Sequence, residues 1–239
     1  MKVLSFFFLF LISFCSFSQQ DTTFWPSDKP ESFGKKINGE KDSVWTYLYE
    51  TGFCSARISF KNGTMNGKFY YYYSNGKLMH QGTMVDNVQQ DTFKAYYQTG
   101  LLRSAYMMKN NFKNGFFNEW HENGLKKIEA FYKNNELDST YVFYSSEGNK
   151  TQQKYYKNGK EDSITIYWNL KGQKIWECRF IEGIESGKVL AWFDDGKKQS
   201  EGNYAMGFQD GIWIYWNENG KVTKKEVYDK GKLIKTSKH

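Results

Sequence analysis

The chain alternates short aromatic and β-branched runs with polar turns, and it does so on a fixed beat of 24 residues. With Trp45 as position zero of a unit, a Gly stands at position 7: Gly52, then Gly76, Gly100, Gly124, Gly148, Gly172, Gly196 and Gly220. A second column, position 18, reads Gly63, Asn87, Asn111, Asn135, Gly159, Gly183, Gly207 and Gly231. Gly and Asn tolerate positive φ best, so both columns mark turns. Self-similarity at a fixed period signals a repeat architecture. Eight units follow one another without insertion or deletion, behind a leading half-unit that ends near Asn38-Gly39.

The other columns describe the unit. Position zero is aromatic in Trp45, Phe69, Phe93, Phe117, Tyr141 and Trp213, with Thr165 and Val189 as exceptions. Position 3 holds Leu48, then Tyr72, Tyr96, Trp120, Tyr144, Trp168, Trp192 and Trp216. Position 15 holds Phe60, Met84, Met108, Tyr132, Tyr156, Phe180, Tyr204 and Tyr228. Position 12 is mostly polar, and position 13 often small or apolar, as in Ile58, Gly82, Ala130, Cys178 and Gly202. This is strand, tight turn, strand, second turn, with no sustained helical period. Asn-Gly at Asn75-Gly76, Asn123-Gly124 and Asn219-Gly220 predicts type I′ hairpins at the first turns.

The predicted fold is all-β: an elongated array of about eight 24-residue β-hairpins in a single twisted antiparallel meander sheet. Some sixteen strands at about 4.8 Å spacing would span roughly 75 Å before twist. Positions zero and 3 have opposite parity. In a straight strand they face opposite sides, so some aromatics are exposed, or the sheet curls, or a bulge intervenes.

Composition narrows the class. Aromatics are 19% of the 239 residues and the formal net charge is +7, which argues against disorder. Residues 1–18 read as a secretory signal: Lys2 is the charged start, Val3 to Phe14 the apolar run, and Ser16 and Ser18 flank a cleavage site. Cys15 raises lipidation, but Phe14 stands where a lipobox needs a small residue. The mature chain is therefore expected outside the cytoplasm: periplasm, cell envelope or secreted. It keeps no stretch long and apolar enough to span a membrane. Residues 19–32 read as a linker, 33–235 as the array and 236–239 as a tail.

Little chemistry is signalled. His80 and His121 fall in different units, and His121 occupies a column held by Tyr49, Tyr73 and Tyr97, so it reads as a substituted ring. Cys54 and Cys178 are five units apart, roughly 48 Å in such a sheet, beyond disulfide reach. Asp194-Asp195 before Gly196 is turn chemistry. No phosphate-binding glycine motif occurs. No catalytic residue, metal ligand or cofactor is expected. Lys and Glu are mixed through the polar columns, as on a solvated face, which speaks against a nucleic-acid partner.

The stretch Asp210-Gly211-Ile212-Trp213-Ile214-Tyr215-Trp216-Asn217-Glu218-Asn219-Gly220-Lys221, followed by Tyr228 and Gly231, resembles a MORN repeat (membrane occupation and recognition nexus) in its bacterial form. The resemblance spans about residues 33–235. Departures are Thr165 and Val189 in the aromatic column, and Asp91, Ser139 and Ser163 where Gly67, Gly115, Gly187 and Gly211 carry the unit's last Gly. The resemblance implies an elongated hairpin platform without catalytic machinery, and some bacterial proteins of this kind look like antitoxin components. The functional expectation is a non-enzymatic exported scaffold that binds an unknown protein partner. An antitoxin or immunity-type protein and a cell-wall or carbohydrate-binding module are the alternatives, and an anionic envelope surface is a further candidate partner. The expected contact row is Trp120, Tyr144, Trp168, Trp192 and Trp216, with core packing as the competing role for the same residues.

Overall fold

The structure, a computed structural model, describes residues 20–238. The expected signal segment 1–18, with Cys15, lies outside the described residues, as does His239. The described chain forms twenty strands. They are β1 (Asp21–Phe24), β2 (Pro30–Ile37), β3 (Glu40–Leu48), β4 (Cys54–Lys61), β5 (Thr64–Tyr72), β6 (Leu78–Val85) and β7 (Val88–Tyr96). Then come β8 (Leu102–Lys109), β9 (Phe112–Trp120), β10 (Lys126–Lys133), β11 (Glu136–Tyr144), β12 (Lys150–Lys157), β13 (Lys160–Glu161) and β14 (Ser163–Trp168). The last are β15 (Lys174–Ile181), β16 (Ile184–Trp192), β17 (Lys198–Ala205), β18 (Phe208–Trp216), β19 (Val222–Asp229) and β20 (Lys232–Lys238).

Apart from β13 and β14, which do not pair with each other, each strand pairs antiparallel with its chain neighbours, in one open meander sheet. The strands beyond the expected sixteen are β1, β2 and β20, plus the split of one strand into β13 and β14, both of which pair with β12. The stretch expected to be a linker, 19–32, thus carries β1 and the start of β2, and β20 runs into the expected tail. The physical reason is edge pairing: Asp21–Phe24 registers against Gly34–Pro30, which satisfies backbone groups that a linker would leave to water.

The turns correct one expectation. Only the Gly of each first turn has positive φ (Gly76 at 80°, Gly124 at 84°, Gly220 at 75°); the preceding Asn does not. The Tyr73 N–H donates to Lys77 O, and the Gly76 N–H donates back to Tyr73 O. These are three-residue loops closed by a Gly bulge, not type I′ turns. The type I′ pattern, two consecutive positive φ values, sits at the second turns instead: Asn62 and Gly63 at 49° and 77°, Asn110 and Asn111 at 52° and 65°. There the position-18 N–H donates to a carbonyl 22 residues earlier, as Gly63 does to Lys41 and Asn111 to Gln89. Where Asn replaces Gly, its Oδ1 also accepts a backbone N–H from the preceding unit: Met65 to Asn87 at 2.8 Å, Gln89 to Asn111 and Lys113 to Asn135 at 2.6 Å.

The unit's last Gly column also holds positive φ where Gly is absent, at Asp91 (60°), Ser139 (77°) and Ser163 (87°). The register shifts beside it, between Ala130 and Tyr132 opposite Tyr141 and Leu137 for example, and this bulge imposes the conformation whatever the residue.

Bulges occur in every unit, yet the parity argument holds. Phe69 registers with Gly82, Tyr70 with Gln81 and Tyr71 with His80, so positions zero, 2, 11, 13 and 15 share one face and positions 1, 3 and 12 the other. The first face holds the core. Trp45 and Cys178 are 0% exposed, Thr165 1%, Phe69 and Val189 4%, and Trp213 6%. A ring ladder runs along it, Tyr71–His80–Phe93–Tyr106–Phe117–Tyr132, at centroid spacings of 4.6–5.6 Å. Glycines make room for the largest rings: Gly34 lies under Trp45 and Gly202 under Trp213. Burying each such side chain contributes about 1.5–3 kcal/mol.

Candidate interaction face

The second face is built from three columns. Its aromatic row is the expected contact row: Trp120, Tyr144, Trp168, Trp192 and Trp216 each end a strand (β9, β11, β14, β16 and β18) just before a first turn. All five are half-buried on the face opposite the core. Across the bulge from each of the first four stands a lysine: Lys126, Lys150, Lys174 and Lys198. Each of these lysines bonds the position-12 side chain of its own unit. Lys126 pairs with Glu129, Lys150 donates to Gln153 Oε1 at 3.0 Å, Lys174 pairs with Glu177 at 2.7 Å and Lys198 with Glu201 at 2.9 Å.

The lysines also meet the rings. Lys126 Nζ lies 6.0 Å from the Trp120 ring centroid, Lys150 Nζ 4.5 Å from Trp168 and Lys198 Nζ 5.1 Å from Trp216. Such contacts contribute about 0.5–1 kcal/mol each at exposed sites. Tyr144 instead donates its hydroxyl to Glu129 Oε2 at 2.7 Å. Hydrogen bonds from Lys126 and then Tyr144 hold the Glu129 carboxyl below its ordinary range. Burial, reinforced by the Glu129 carboxylate, pushes the Tyr144 phenol up to about 12. The rows are thus laced into a polar–aromatic lattice, and aromatic identity alone does not signal the lysine column that repeats in four units.

An apolar patch interrupts the lattice. Phe116 and Phe131 face each other across β9 and β10 at 38% and 43% exposure, beside Met107 at 40%. Phe116 and Phe131, with Thr140 and Val142, border a groove of about 320 Å³. The 24-residue columns hide this patch, because positions 14 and 23 carry apolar residues in only some units.

The histidines do structural work. His80 stacks between Tyr71 and Phe93, where burial and then the nearby Arg103 charge keep its pKa below the ordinary value. The His121 Nε2 lies 3.0 Å from Tyr144 O. It thus meets the same carbonyl position that Tyr49, Tyr73 and Tyr97 reach with their hydroxyls one unit onward, at 2.6–2.8 Å. Cys178 is free and buried, its thiol pushed up to about 11 by burial and then by Glu185; Cys54 is free and half-buried. Among the described residues no group of three or more His, Cys, Asp or Glu is placed to hold a metal ion, and no helix is long and apolar enough to cross a membrane.

With the hairpin geometry in place, comparison with protein families decides what the unit is like. Residues 65–86 and 209–235 match the family model described as MORN repeat variant. The comparison with curated proteins finds no match. The first matched stretch covers β5 and β6; the second runs from β18 into β20. Both therefore fall on hairpins of the same meander, near its two ends, and they support a MORN-repeat reading of the array. The hairpins between them keep the 24-residue spacing and the positive-φ columns.

Proposed function

We propose that the protein is a non-enzymatic, exported scaffold that holds a protein partner along its second face. Repeats of the matched kind generally serve interactions with proteins or membranes, and they supply no reacting group. The observation that carries the reading is the asymmetry of the sheet. The array fills one face with its own rings, while the other carries half-exposed aromatics, an ordered lattice of lysines and carboxylates, and the Met107–Phe116–Phe131 patch. An exposed apolar patch rimmed by polar groups is the usual anatomy of a protein-binding surface. Export is supported by the apolar run from Val3 to Phe14 behind Lys2.

The test is affinity capture from the envelope fraction of the source cells. Native protein is compared with a second-face variant (Phe116→Ser, Phe131→Ser, Trp168→Thr) and a control at an exposed turn residue outside the strands (Phe53→Ser). A partner retained by native protein and the control but lost from the second-face variant is expected. Equal retention by all three would refute the assignment of the face. Amino-terminal sequencing of the mature chain, beginning near Gln19, checks export.

A further inference from the structure

We propose that the cleft against Trp192 is a binding site for a cationic side chain, a lysine or arginine presented by the protein partner. The proposal rests on the scaffold reading above and names the chemistry of one contact within it. Its basis is a break in the molecule's own pattern. Trp168 and Trp216 each have a lysine of the preceding unit over the ring, Lys150 at 4.5 Å and Lys198 at 5.1 Å. Trp192 lies between them in the row, and the equivalent lysine is Lys174. Lys174 pairs with Glu177 at 2.7 Å, as Lys198 pairs with Glu201, but unlike Lys198 it does not also lie over a ring, and no described lysine or arginine lies over the Trp192 ring.

A cleft of about 590 Å³ opens there instead, lined by Trp192, Ile175, Gln199 and three carboxylates, Asp194, Asp195 and Glu218. Lys197 pairs with Asp195 at 2.9 Å and spends a second donor on the Glu218 carbonyl at 2.8 Å. Asp194 takes only the Asn169 amide, at 3.3 Å. Two negative charges therefore remain uncompensated around an indole. An anion would be repelled, and an apolar group would leave Asp194 and Glu218 desolvated without partners. A cation satisfies both the ring quadrupole and the carboxylates, and Trp is the best ring for it. The neighbouring units supply the same chemistry from within the chain; here it is left to another molecule.

The test follows the indole N–H signals of the purified ¹⁵N-labelled protein during titration with Nα-acetyl-lysine methylamide, Nα-acetyl-arginine methylamide and, as the uncharged control, Nα-acetyl-norleucine methylamide. The expected result is a saturable shift of the Trp192 signal with either cationic probe at millimolar concentration. It should weaken at least about fivefold in Asp194→Asn/Glu218→Gln, which keeps the shape and removes the charge. Lys174→Gln should leave it in place. An equal response to norleucine, equal shifts at Trp168 and Trp216, or a response that appears only in Lys174→Gln would overturn the site. The last outcome would make Lys174 the occupant. If the captured partner is lost from the second-face variant but retained by Trp192→Leu and by Asp194→Asn/Glu218→Gln, the site fails and the scaffold reading stands. If the probes bind as expected but no partner depends on the second face, the scaffold reading fails instead.

Discussion

Gly202 is the position where the sheet's packing logic is most exposed to a single atom. A Cβ added there would overlap Cδ2 and Cε2 of Trp213 and sit 2.7 Å from its Cε3. Carbon atoms pack at about 3.5–4.0 Å, so the indole must retreat by more than about 1 Å. It has nowhere to go: Trp213 is packed with Cys178 and Val189 and is flanked by Tyr204, Tyr215 and Tyr228 at centroid distances of 5.3, 6.4 and 6.3 Å. Gly202→Ala gains about 0.5–1 kcal/mol from reduced backbone freedom in a strand and loses about 1–3 kcal/mol to overpacking. Net destabilisation of about 1–2 kcal/mol is expected, a fall in melting temperature of roughly 2–8 °C. Thermal unfolding followed by circular dichroism and tryptophan fluorescence measures it. Shortening the ring should relieve the clash, so Gly202→Ala in a Trp213→Leu background should cost less than in the native protein, with a coupling of at least about 0.5 kcal/mol. A Gly202→Ala variant as stable as the native protein, or strictly additive with Trp213→Leu, would refute the reasoning.

Four further outcomes follow from other contacts. Asn111→Ala removes the acceptor for the Gln89 N–H at a φ of 65° and should cost about 1–2 kcal/mol in urea unfolding, whereas Asn111→Gly, which keeps the φ freely, should cost less. Trp45 donates its Nε1–H to Lys35 O at 3.0 Å, while the buried Trp213 Nε1 has no partner among the described residues; Trp45→Phe should therefore be more destabilising than Trp213→Phe by about 1 kcal/mol. Because the fold raises the Tyr144 phenol, stability from this group is complete below about pH 10 and is lost as pH rises toward 12; a late ultraviolet ionisation step should vanish in Tyr144→Phe. Cys178 should resist a thiol reagent at neutral pH until denaturant is added, and Cys54 should react first.

The period, the strands and the two turn columns were legible because a repeat writes each constraint eight times. Turn type was not. Asn-Gly at Asn75-Gly76 reads as type I′, but the loop there has three residues and needs only one left-handed position, while Asn62-Gly63 closes a two-residue loop that needs two. Asp91, Ser139 and Ser163 read as departures, yet they adopt the glycine conformation because the bulge beside them is set by pairing on both sides. The aromatic row from Trp120 to Trp216 was visible, and its face followed from parity. What the columns did not reveal was that a lysine caps some of those rings and not Trp192, since Lys198 and Lys174 both pair with a carboxylate of their own unit and only Lys198 also lies over a ring.

Small-angle X-ray scattering of the purified protein tests the open array most directly. A meander of this many strands at about 4.8 Å spacing extends roughly 85 Å before twist and gives a radius of gyration of about 25 Å. A compact domain of the same length would give about 17 Å. A value near 25 Å with a long tail in the distance distribution is expected; a value near 17 Å would mean that the sheet closes on itself and would contradict the open array.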